Sequence, residues 1–319
     1  MSDSATILNG RLLVVAFEGW NDAGDAASGA VRMLKDLLDL SPIVEVDAEK
    51  YFDFQFNRPT STTDDGGRRV LVWPSVTIYG PAPVRARKTR IPAGDADLTV
   101  SGDNSSNIYV LLGTEPSRNW RSFTAEIMAA VRASRITGIV MLGAMLADVP
   151  HTRPISVFAT SENAGVRKEL GLERSGYEGP VGILSVLGDA AEGSGIPTLA
   201  IWASVPHYVH NAPSPKATLA LIDRLEKIID VMIPRGDLVS QAAAWETGID
   251  ALASNDDDMA SYIEQLERAR DTVDSPEASG EAIAQEFERY LRKRGDARGD
   301  GRSSDGRGGG PDESWQPKD

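Results

Sequence analysis

The fold is decided near the N-terminus, where Leu12-Leu13-Val14-Val15-Ala16-Phe17 runs directly into Glu18-Gly19-Trp20-Asn21-Asp22. Six consecutive apolar residues are typical of a β-strand that is covered on both faces, as in a parallel sheet between two layers of helices. Apolar residues then recur at helical spacing over residues 24–40, and residues 43–46 again have the composition of a strand. The N-terminal region therefore predicts a β-α-β unit.

Three later segments repeat the pattern of an apolar run that ends in a polar loop. Residues 108–112 lead into Gly113-Thr114-Glu115-Pro116, residues 139–142 lead into a loop that ends at Pro154, and residues 199–203 lead into a loop that ends at His210. The remaining predicted strands are 70–73, 76–79 and 155–160, and the other predicted helices of this region are 120–134, 163–170 and 181–191. This alternation predicts an α/β protein with a mostly parallel sheet.

The composition changes towards the C-terminus. Ser214 and Pro215 have the residue types of a helix N-cap and first turn, and Pro234 ends that helix. Beyond it the apolar residues recur only at helical spacing, which predicts a small all-α domain over residues 236–294 after an α/β domain over residues 1–235. In residues 295–319, seven of 25 residues are glycine and very few are apolar, so this tail is predicted to be disordered.

Composition excludes several classes of protein. The chain has no cysteine, which excludes disulfides, thiol catalysis and Cys-ligated metal sites. A net charge of −14 would repel nucleic acid, and the best basic cluster, residues 85–90, has no interleaved aromatic residue. No apolar run approaches the roughly 20 residues that span a bilayer, and the first residues do not resemble a signal peptide. We therefore expect a cytoplasmic protein that binds neither nucleic acid nor membrane.

The loops that follow the four apolar runs carry the candidate functional residues. Parallel strands deliver their following loops to one edge of the sheet, where ligands of α/β proteins bind. All three histidines lie on two of these loops, and each group is introduced by Val-Pro-His. We therefore predict one rim of ligand-binding or interface residues, made of Trp20, Asn21, Asp22, Glu115, Asp148, His151, Arg153, His207 and His210.

The first loop does not have the composition of a phosphate-binding loop. Residues 18–25 match neither G-x-G-x-x-G nor G-x-x-x-x-G-K-[ST], and Asp22 and Asp25 would repel an anion. An alternative is that Asn21 and Asp22 cap the following helix, while Gly24 and the small residues after it permit close helix packing. Nucleotide binding at this loop is not expected.

The histidine loops leave several chemical interpretations open. Asp148 and the histidines could ligate a metal, but His-x-x-His on a loop fixes no geometry, so we predict no metal ion and no cofactor. A nucleophile–base pair of Ser204 and His207 is poorly supported because G-x-S-x-G is absent. Glu115, Asp148 and the histidines could act as general acid and base, or could serve as hydrogen-bonded loop anchors. Arg153 could pair with either carboxylate.

Motifs in these loops also resemble, in the same order, those of one protein family. They are Gly19-Trp20-Asn21-Asp22-Ala23-Gly24, Gly113-Thr114-Glu115-Pro116 with Trp120 and Phe123, Gly143-Ala144 with Asp148-Val149-Pro150-His151-Thr152-Arg153-Pro154, Tyr177-Glu178-Gly179-Pro180, Trp202-Ala203-Ser204-Val205-Pro206-His207-Tyr208-Val209 and Pro215-Lys216-Ala217-Thr218. Through them the chain resembles the proteasome assembly chaperone 2 family, in its actinobacterial branch. The resemblance extends over roughly residues 12–269.

The resemblance implies a phosphorylase-like three-layer α/β core followed by a small helical domain, in agreement with the elements predicted above. Relatives in eukaryotes and archaea are chaperones that bind proteasome α-subunits, commonly as dimers or larger homo-oligomers. Several of them dock through a C-terminal hydrophobic-Tyr-X signature, which Trp315-Gln316-Pro317-Lys318-Asp319 does not match. Some bacterial members have been labelled carboxylate–amine ligases, but no ATP-binding motif supports that activity here.

Two hypotheses about function follow. The first is a non-catalytic protein-binding or assembly-chaperone-like protein, a homo-oligomer such as a dimer or trimer, whose partners include proteasome α-subunits. The second is a small-molecule-binding protein, or an enzyme of hydrolase or transferase type, that uses the crevice at the strand-end loops. We favour the first hypothesis. In a third interpretation, the loops mainly build subunit contacts through Trp20, Trp120 and Tyr208.

Overall fold

The structure, a computed structural model, describes residues 7–8, 10–81, 105–210 and 212–273, and its centre is a seven-stranded mixed sheet. Its strands are β1 (Leu12–Glu18), β2 (Ser41–Glu45), β5 (Val76–Gly80), β6 (Ile108–Thr114), β7 (Gly138–Ala147), β8 (Val157–Thr160) and β9 (Thr198–Pro206). The strand order is β2-β5-β6-β1-β7-β9-β8, and the four neighbours β6, β1, β7 and β9 are mutually parallel. β5 and β8, on either side of these four, run antiparallel to their neighbours.

Helices cover both faces of the sheet. They are α1 (Ala26–Leu37), α2 (Ala48–Tyr51), α3 (Trp120–Ala133), α4 (Ala164–Leu170), α5 (Ile183–Gly193), α6 (Pro215–Ile229), α7 (Leu238–Ala253) and α8 (Asp257–Val273). Leu12, Val14 and Ala16 of β1 belong to the core cluster on the α1 and α6 face. The alternate residues of the strand belong to the cluster on the α3 and α5 face. The apolar run of β1 is therefore buried on both sides, as its composition predicts.

Two further strands form an exposed ribbon. β3 (Thr60–Thr63) pairs antiparallel with β4 (Arg69–Val72), and all eight residues of the two strands are exposed. Leu71 and Val72 are 54% and 51% exposed, and Trp73 after them packs edge-on against Phe54 with ring centroids 4.9 Å apart. A two-stranded ribbon with so little burial contributes little to the core.

The C-terminal helices pack on the α6 side of the molecule. Ser214 caps α6 as predicted, because its side chain accepts a hydrogen bond from the Ala217 N–H and Pro215 is the first helical residue. Leu238 of α7 joins the core cluster of α1 and α6, and Ile263 and Leu266 of α8 are buried. No helix of the described residues has the length and apolarity needed to span a membrane.

The α/β fold with a mostly parallel sheet is confirmed, with one difference in topology. β2 follows α1, but β6 and β5 separate it from β1, and it pairs antiparallel with β5 at the sheet edge. Strand periodicity predicts the conformation of a segment but does not predict which strand it pairs with. The β-α-β prediction for the first 46 residues therefore could not give the position of β2 in the sheet. Three predicted regions lie outside the described residues: the end of the all-α domain from residue 274 to 294, the tail from residue 295 and the basic cluster at 85–90.

Candidate functional site

The four loops follow strands that end at the same edge of the sheet. β1 lies between β6 and β7, and β9 lies beyond β7. The loop after β1 lies beside both of its neighbours, because the Glu115 N–H donates to the Glu18 carbonyl at 3.0 Å and the Ala144 N–H donates to the Asn21 carbonyl at 2.8 Å. β7 continues six residues past Met141, its last residue paired with β1, and so carries its loop beyond the loops after β1 and β6.

Asn21 and Glu115 meet at the N-terminus of α5. The Asn21 Nδ2 donates to Glu115 Oε1 at 3.1 Å, and the Ile183 backbone N–H donates to the same oxygen at 2.9 Å. Burial raises the pKa of Glu115, although these hydrogen bonds act in the opposite direction. Glu115 therefore joins the loops after β1 and β6 to the first turn of α5, where a carboxylate also interacts favourably with the helix dipole.

Asp22 caps α1, whereas Asn21 does not. The Ala27 and Ser28 N–H groups donate to Asp22 Oδ1 at 2.7 and 3.1 Å. Oδ2 is buried and has no hydrogen-bond partner of good geometry among the described residues. Burial raises the pKa of Asp22 from 3.8 to about 6. Gly24 lets this turn approach α6, since a Cβ there would lie 2.9 Å from the Ser214 Cβ.

His151 is the centre of a polar cluster that we call the histidine junction, made of His151, His207, Tyr208, Asp148 and Asp250. His151 is fully buried, and its backbone N–H donates to the Tyr208 oxygen at 2.7 Å. The Tyr208 O–H can then donate to His151 Nδ1 at 2.9 Å, which leaves Nε2–H as the donor to Asp250 Oδ1 at 3.0 Å. Burial raises the pKa of Tyr208 to about 12, so its hydroxyl keeps the proton that this network requires.

His207 and His210 are more exposed than His151. His207 Nδ1 lies 3.3 Å from Asp148 Oδ1, and its ring packs edge-on against Tyr208 and Tyr262 with centroids 5.8 and 5.6 Å away. The His210 Nδ1 lies 2.8 Å from the His207 carbonyl, in its own turn. Among the described residues, no group of three or more His, Asp or Glu side chains is arranged to hold a metal ion.

Residues 151–156 attach the α/β core to α7 and α8. Lys216 Nζ donates to the His151 carbonyl at 2.5 Å and to Glu246 of α7 at 2.6 Å. Among the described residues, the ion pairs of Arg153 are with Glu267 and Asp271 of α8 and not with Glu115 or Asp148. Arg153 donates to both carboxylate oxygens of Asp271 at 2.7 and 2.8 Å. The remaining contacts are Thr152 and Arg153 with Glu267, and Arg270 with Ser156. The partner of Arg153 is therefore Asp271 on α8, whereas the sequence analysis expected Glu115 or Asp148 on a loop.

A large cleft lies on the α5 face of the sheet and extends from Trp20, in the loop after β1, to Thr198 at the start of β9. Its volume is about 790 Å³, within the usual range for ligand pockets. We call it the aromatic cleft because its walls include Trp20, Phe158, Tyr177 and Trp202. A second cavity of about 310 Å³ lies on the other side of Trp20 and is bordered by Asp22, Asp25 and His210. Of the predicted site residues, Trp20 and Asn21 line the larger cavity.

The described structure thus places the predicted residues in three settings along one edge. Asn21 and Glu115 hold α5, Asp22 caps α1, and His151, His207 and Arg153 contact α7 and α8, whereas His210 contacts only its own turn. Sequence reasoning named Tyr208 only as a subunit contact and did not select Trp202, although both lie inside the family-like motif at residues 202–209. It also missed Asp250, Tyr262 and Glu267, for which nothing in the helical periodicity of α7 and α8 gives a signal.

Comparison with known proteins gives the family. The model of the PAC2 family matches residues 16–253, which is most of the chain. The chain belongs to the PAC2 family. A PAC2 family protein from Streptomyces avermitilis is 41% identical, with a TM-score of 0.67 over 79% of this chain and 99% of that one. A Mycobacterium tuberculosis proteasome-assembly chaperone homologue is 40% identical, with a TM-score of 0.65 over the same shares.

More distant solved structures agree in fold alone. Pyrococcus furiosus PbaA, an archaeal homolog of proteasome-assembly chaperone, is 16% identical, with a TM-score of 0.51 over 82% of this chain and 96% of that one. A search of functionally curated proteins finds no match. This PAC2 family chain therefore has the same fold as proteins from both bacteria and archaea. Fold alone does not give function, so the function of the site depends on the residues of this chain.

Proposed function

We propose that this chain is a non-catalytic protein-binding protein of the assembly-chaperone type, with proteasome α-subunits as partner. The observation that carries the proposal is the 40% identity to a proteasome-assembly chaperone homologue along 99% of that protein. The family model adds support because it spans the α/β core and α7 together. Such a role places the protein in the cytoplasm.

The histidine junction supports a structural role for its residues. The His151 ring uses both nitrogens within the protein, one with Tyr208 and one with Asp250. A general base has to present a free nitrogen to a substrate within hydrogen-bond distance. In this structure His151 presents neither nitrogen to either cavity, so its present geometry favours anchoring over proton transfer.

The β3–β4 ribbon supports a protein partner. Leu71, Val72 and Trp73 are about half exposed, and Phe56, two residues after the Trp73 partner Phe54, is 82% exposed. A contiguous exposed apolar patch often marks a protein interaction site, whereas single exposed apolar residues are ordinary. Because the ribbon is exposed on both faces, it can pack against a second copy of the chain as well as against another protein. We therefore include a homo-oligomer, dimer or trimer, in the proposal.

A pull-down tests the partner. The full chain is immobilised and mixed with purified 20S proteasome α-subunits, beside a control protein of similar acidity. We expect enrichment of the α-subunits over the control, and a loss of at least about tenfold with Leu71→Ser. Leu252→Ser, at a residue of α7 that is 65% exposed, is the matched control and should bind as the native chain does. Equal recovery on the native chain and on the acidic control would contradict the proposal.

Light scattering tests the oligomer. We expect the native chain to have the mass of a dimer or trimer. Trp20→Ala should lower that mass if the strand-end loops form the contact, and Leu71→Ser should lower it if the ribbon does. A monomeric native chain at micromolar concentration would contradict this part of the proposal.

The aromatic cleft favours a second candidate function, a small-molecule-binding protein or an enzyme of hydrolase or transferase type. A concave site of about 790 Å³ with aromatic walls is the usual form of a ligand pocket. A thermal-shift screen against a metabolite library tests this candidate, because a specific ligand raises the unfolding temperature by mass action. Absence of any shift would contradict this candidate.

A further inference from the structure

The aromatic cleft arises because α5 covers only part of its face of the sheet. Leu184 and Leu187 of α5 are buried on this face, in the same core cluster as Met141 of β7. Phe158 of β8 and Trp202 of β9 form a neighbouring pair in the antiparallel ladder and remain partly exposed. The segment at residues 174–182 borders the open side. Because α5 does not extend over Phe158 and Trp202, these aromatic side chains line a cavity.

A glycine fixes the position of Trp202. Gly143 of β7 is the neighbour of Trp202 in the parallel ladder, and a Cβ built on Gly143 would lie 2.5 Å from two carbons of the indole six-membered ring. No real Cβ contact is that short, so the indole occupies space that only glycine leaves free. The indole is held against the strand, and its exposed part lines the cleft.

The charges around the cleft are mainly negative. Its lining contains four carboxylates, Glu162, Glu178, Asp189 and Glu192, and one guanidinium, Arg174. Arg174 is paired with Glu162 at 2.5 Å, and Glu192 accepts hydrogen bonds from Thr198 and Asn163 with its two oxygens.

Glu178 and Asp189 are exposed carboxylates at the mouth of the cleft. They are therefore the lining charges that remain available to a ligand.

We propose that the aromatic cleft binds an organic cation, an ammonium or guanidinium group, against Trp202 and between Glu178 and Asp189. Cations are attracted to the faces of aromatic rings, most strongly to tryptophan, and groups of aromatic residues are a common means of binding them. The carboxylates add a Coulombic term and exclude anions. The net charge of −14 steers cations towards the molecule.

The cation has two sources with the same chemistry. It is either a free small molecule or the side chain of an arginine or lysine in a partner polypeptide. The second source rests on the proposed function, because it requires a protein partner. The cleft is large enough for more than a single side chain, so a peptide that carries the cation gains contacts with Phe158 and Tyr177.

Calorimetric titration of the full chain tests the site. The first arm compares Nα-acetyl-arginine amide with Nα-acetyl-citrulline amide, which has the same shape without the charge. We expect the arginine derivative to bind at least about tenfold more tightly, with an affinity that falls as salt rises. The second arm uses a capped pentapeptide with one central arginine. A further tenfold gain identifies a polypeptide side chain as the ligand, whereas equal affinity identifies a free cation.

Variants complete the test. Trp202→Leu and the double variant Glu178→Gln/Asp189→Asn should each weaken the arginine derivative at least about fivefold. The double variant changes only exposed side chains, so it keeps the test valid even if Trp202→Leu unfolds. Glu45→Gln on β2, an exposed carboxylate at the opposite side of the strand order from β8, is the matched control.

Equal binding of the arginine and citrulline derivatives would overturn the proposal, as would native affinity in the double variant. The proposed function fails separately. Cation binding without enrichment of α-subunits would exclude the proteasome partner and leave the site intact. Enrichment of α-subunits without cation binding would exclude the cation site and leave the proteasome partner intact.

Discussion

The histidine junction and the aromatic cleft both adjoin the loops at the carboxyl ends of the parallel strands, and they differ in how their polar groups are used. In the junction, His151 is fully buried, and Tyr208 and Asp250 occupy both of its ring nitrogens. In the cleft, Trp202 is partly exposed and Asp189 is open to solvent. Residue types that suggest chemistry therefore attach helices in the junction, whereas in the cleft a partly exposed tryptophan belongs to the proposed binding surface.

The largest expected effect separates the two regions directly. His151→Ala removes a fully buried ring that packs against Tyr208 and Trp245, with centroids 5.9 and 6.3 Å away, and removes the ring nitrogens that contact the Tyr208 hydroxyl and Asp250. We expect a loss of about 3 kcal/mol in the free energy of unfolding, measured by urea denaturation.

Asp189→Asn in the cleft is the control for this change, and it should alter stability by less than about 0.5 kcal/mol. Native stability in His151→Ala would show that the junction does not hold α7. In that case its polar groups would be available for another role.

Asp22 sharpens the comparison because it has features of both regions. Oδ1 is hydrogen-bonded, whereas Oδ2 is buried without a well-aligned partner among the described residues. Its pKa is about 6 in the folded chain and 3.8 ordinarily, so the folded state holds the proton more tightly. This contribution is fully present below about pH 4 and is lost as pH rises through 6, by about 3 kcal/mol at most.

Asp22→Asn should remove this pH dependence. The amide oxygen of asparagine still accepts from Ala27 and Ser28, and no charge forms at high pH. The stability difference, variant minus native, should therefore rise by about 2 kcal/mol between pH 4.5 and 7.5, measured by urea denaturation at each pH. Asp25→Asn, at the exposed neighbouring carboxylate, is the control. A difference that does not change with pH would show that Asp22 is already satisfied in solution.

Gly143→Ala tests whether the cleft is shaped by its backbone. The new methyl group would meet the Trp202 ring, and overpacking of this kind costs about 2 kcal/mol. Adding Trp202→Leu should recover at least about 1 kcal/mol of that loss in a double-mutant cycle, because the smaller side chain leaves room for the methyl group. Additive effects of the two changes would mean that the indole does not depend on the glycine.

The sequence predicts the core of this fold well because burial leaves a local pattern. The continuous apolar run of residues 12–17 and the capping pair Ser214 and Pro215 both give their elements correctly. The position of β2 was wrong, since pairing at a sheet edge depends on β5, which comes about 30 residues later. Local patterns specify conformation, whereas strand order depends on contacts that are distant along the chain.

The candidate site was harder to predict because its residues depend on partners from distant elements. Arg153 has carboxylates near it in sequence, yet it pairs with Asp271, more than 100 residues away. Trp202 reads as an ordinary strand residue, and only the glycine beside it in the ladder and the incomplete cover by α5 place it in a cleft. Neither relation appears in a pattern of residue types along one segment.

The smallest expected effect lies at the rim of the junction. Lys216 donates both to the His151 carbonyl and to Glu246, and the Glu246 side chain is about one third exposed. Glu246→Gln removes one charge and keeps a hydrogen-bond acceptor for Lys216. We expect a loss of about 0.5 kcal/mol that shrinks with added salt, measured by urea denaturation at two ionic strengths.

Glu264→Gln, in an exposed pair with Arg268 on α8, is the matched control and should cost no more than about 0.3 kcal/mol. A loss above about 2 kcal/mol in Glu246→Gln would mean that the charge of Glu246, and not the hydrogen bond of Lys216 to the His151 carbonyl, holds the loop. Docking of α7 would then depend mainly on the Lys216–Glu246 ion pair, and the loss should shrink strongly with added salt.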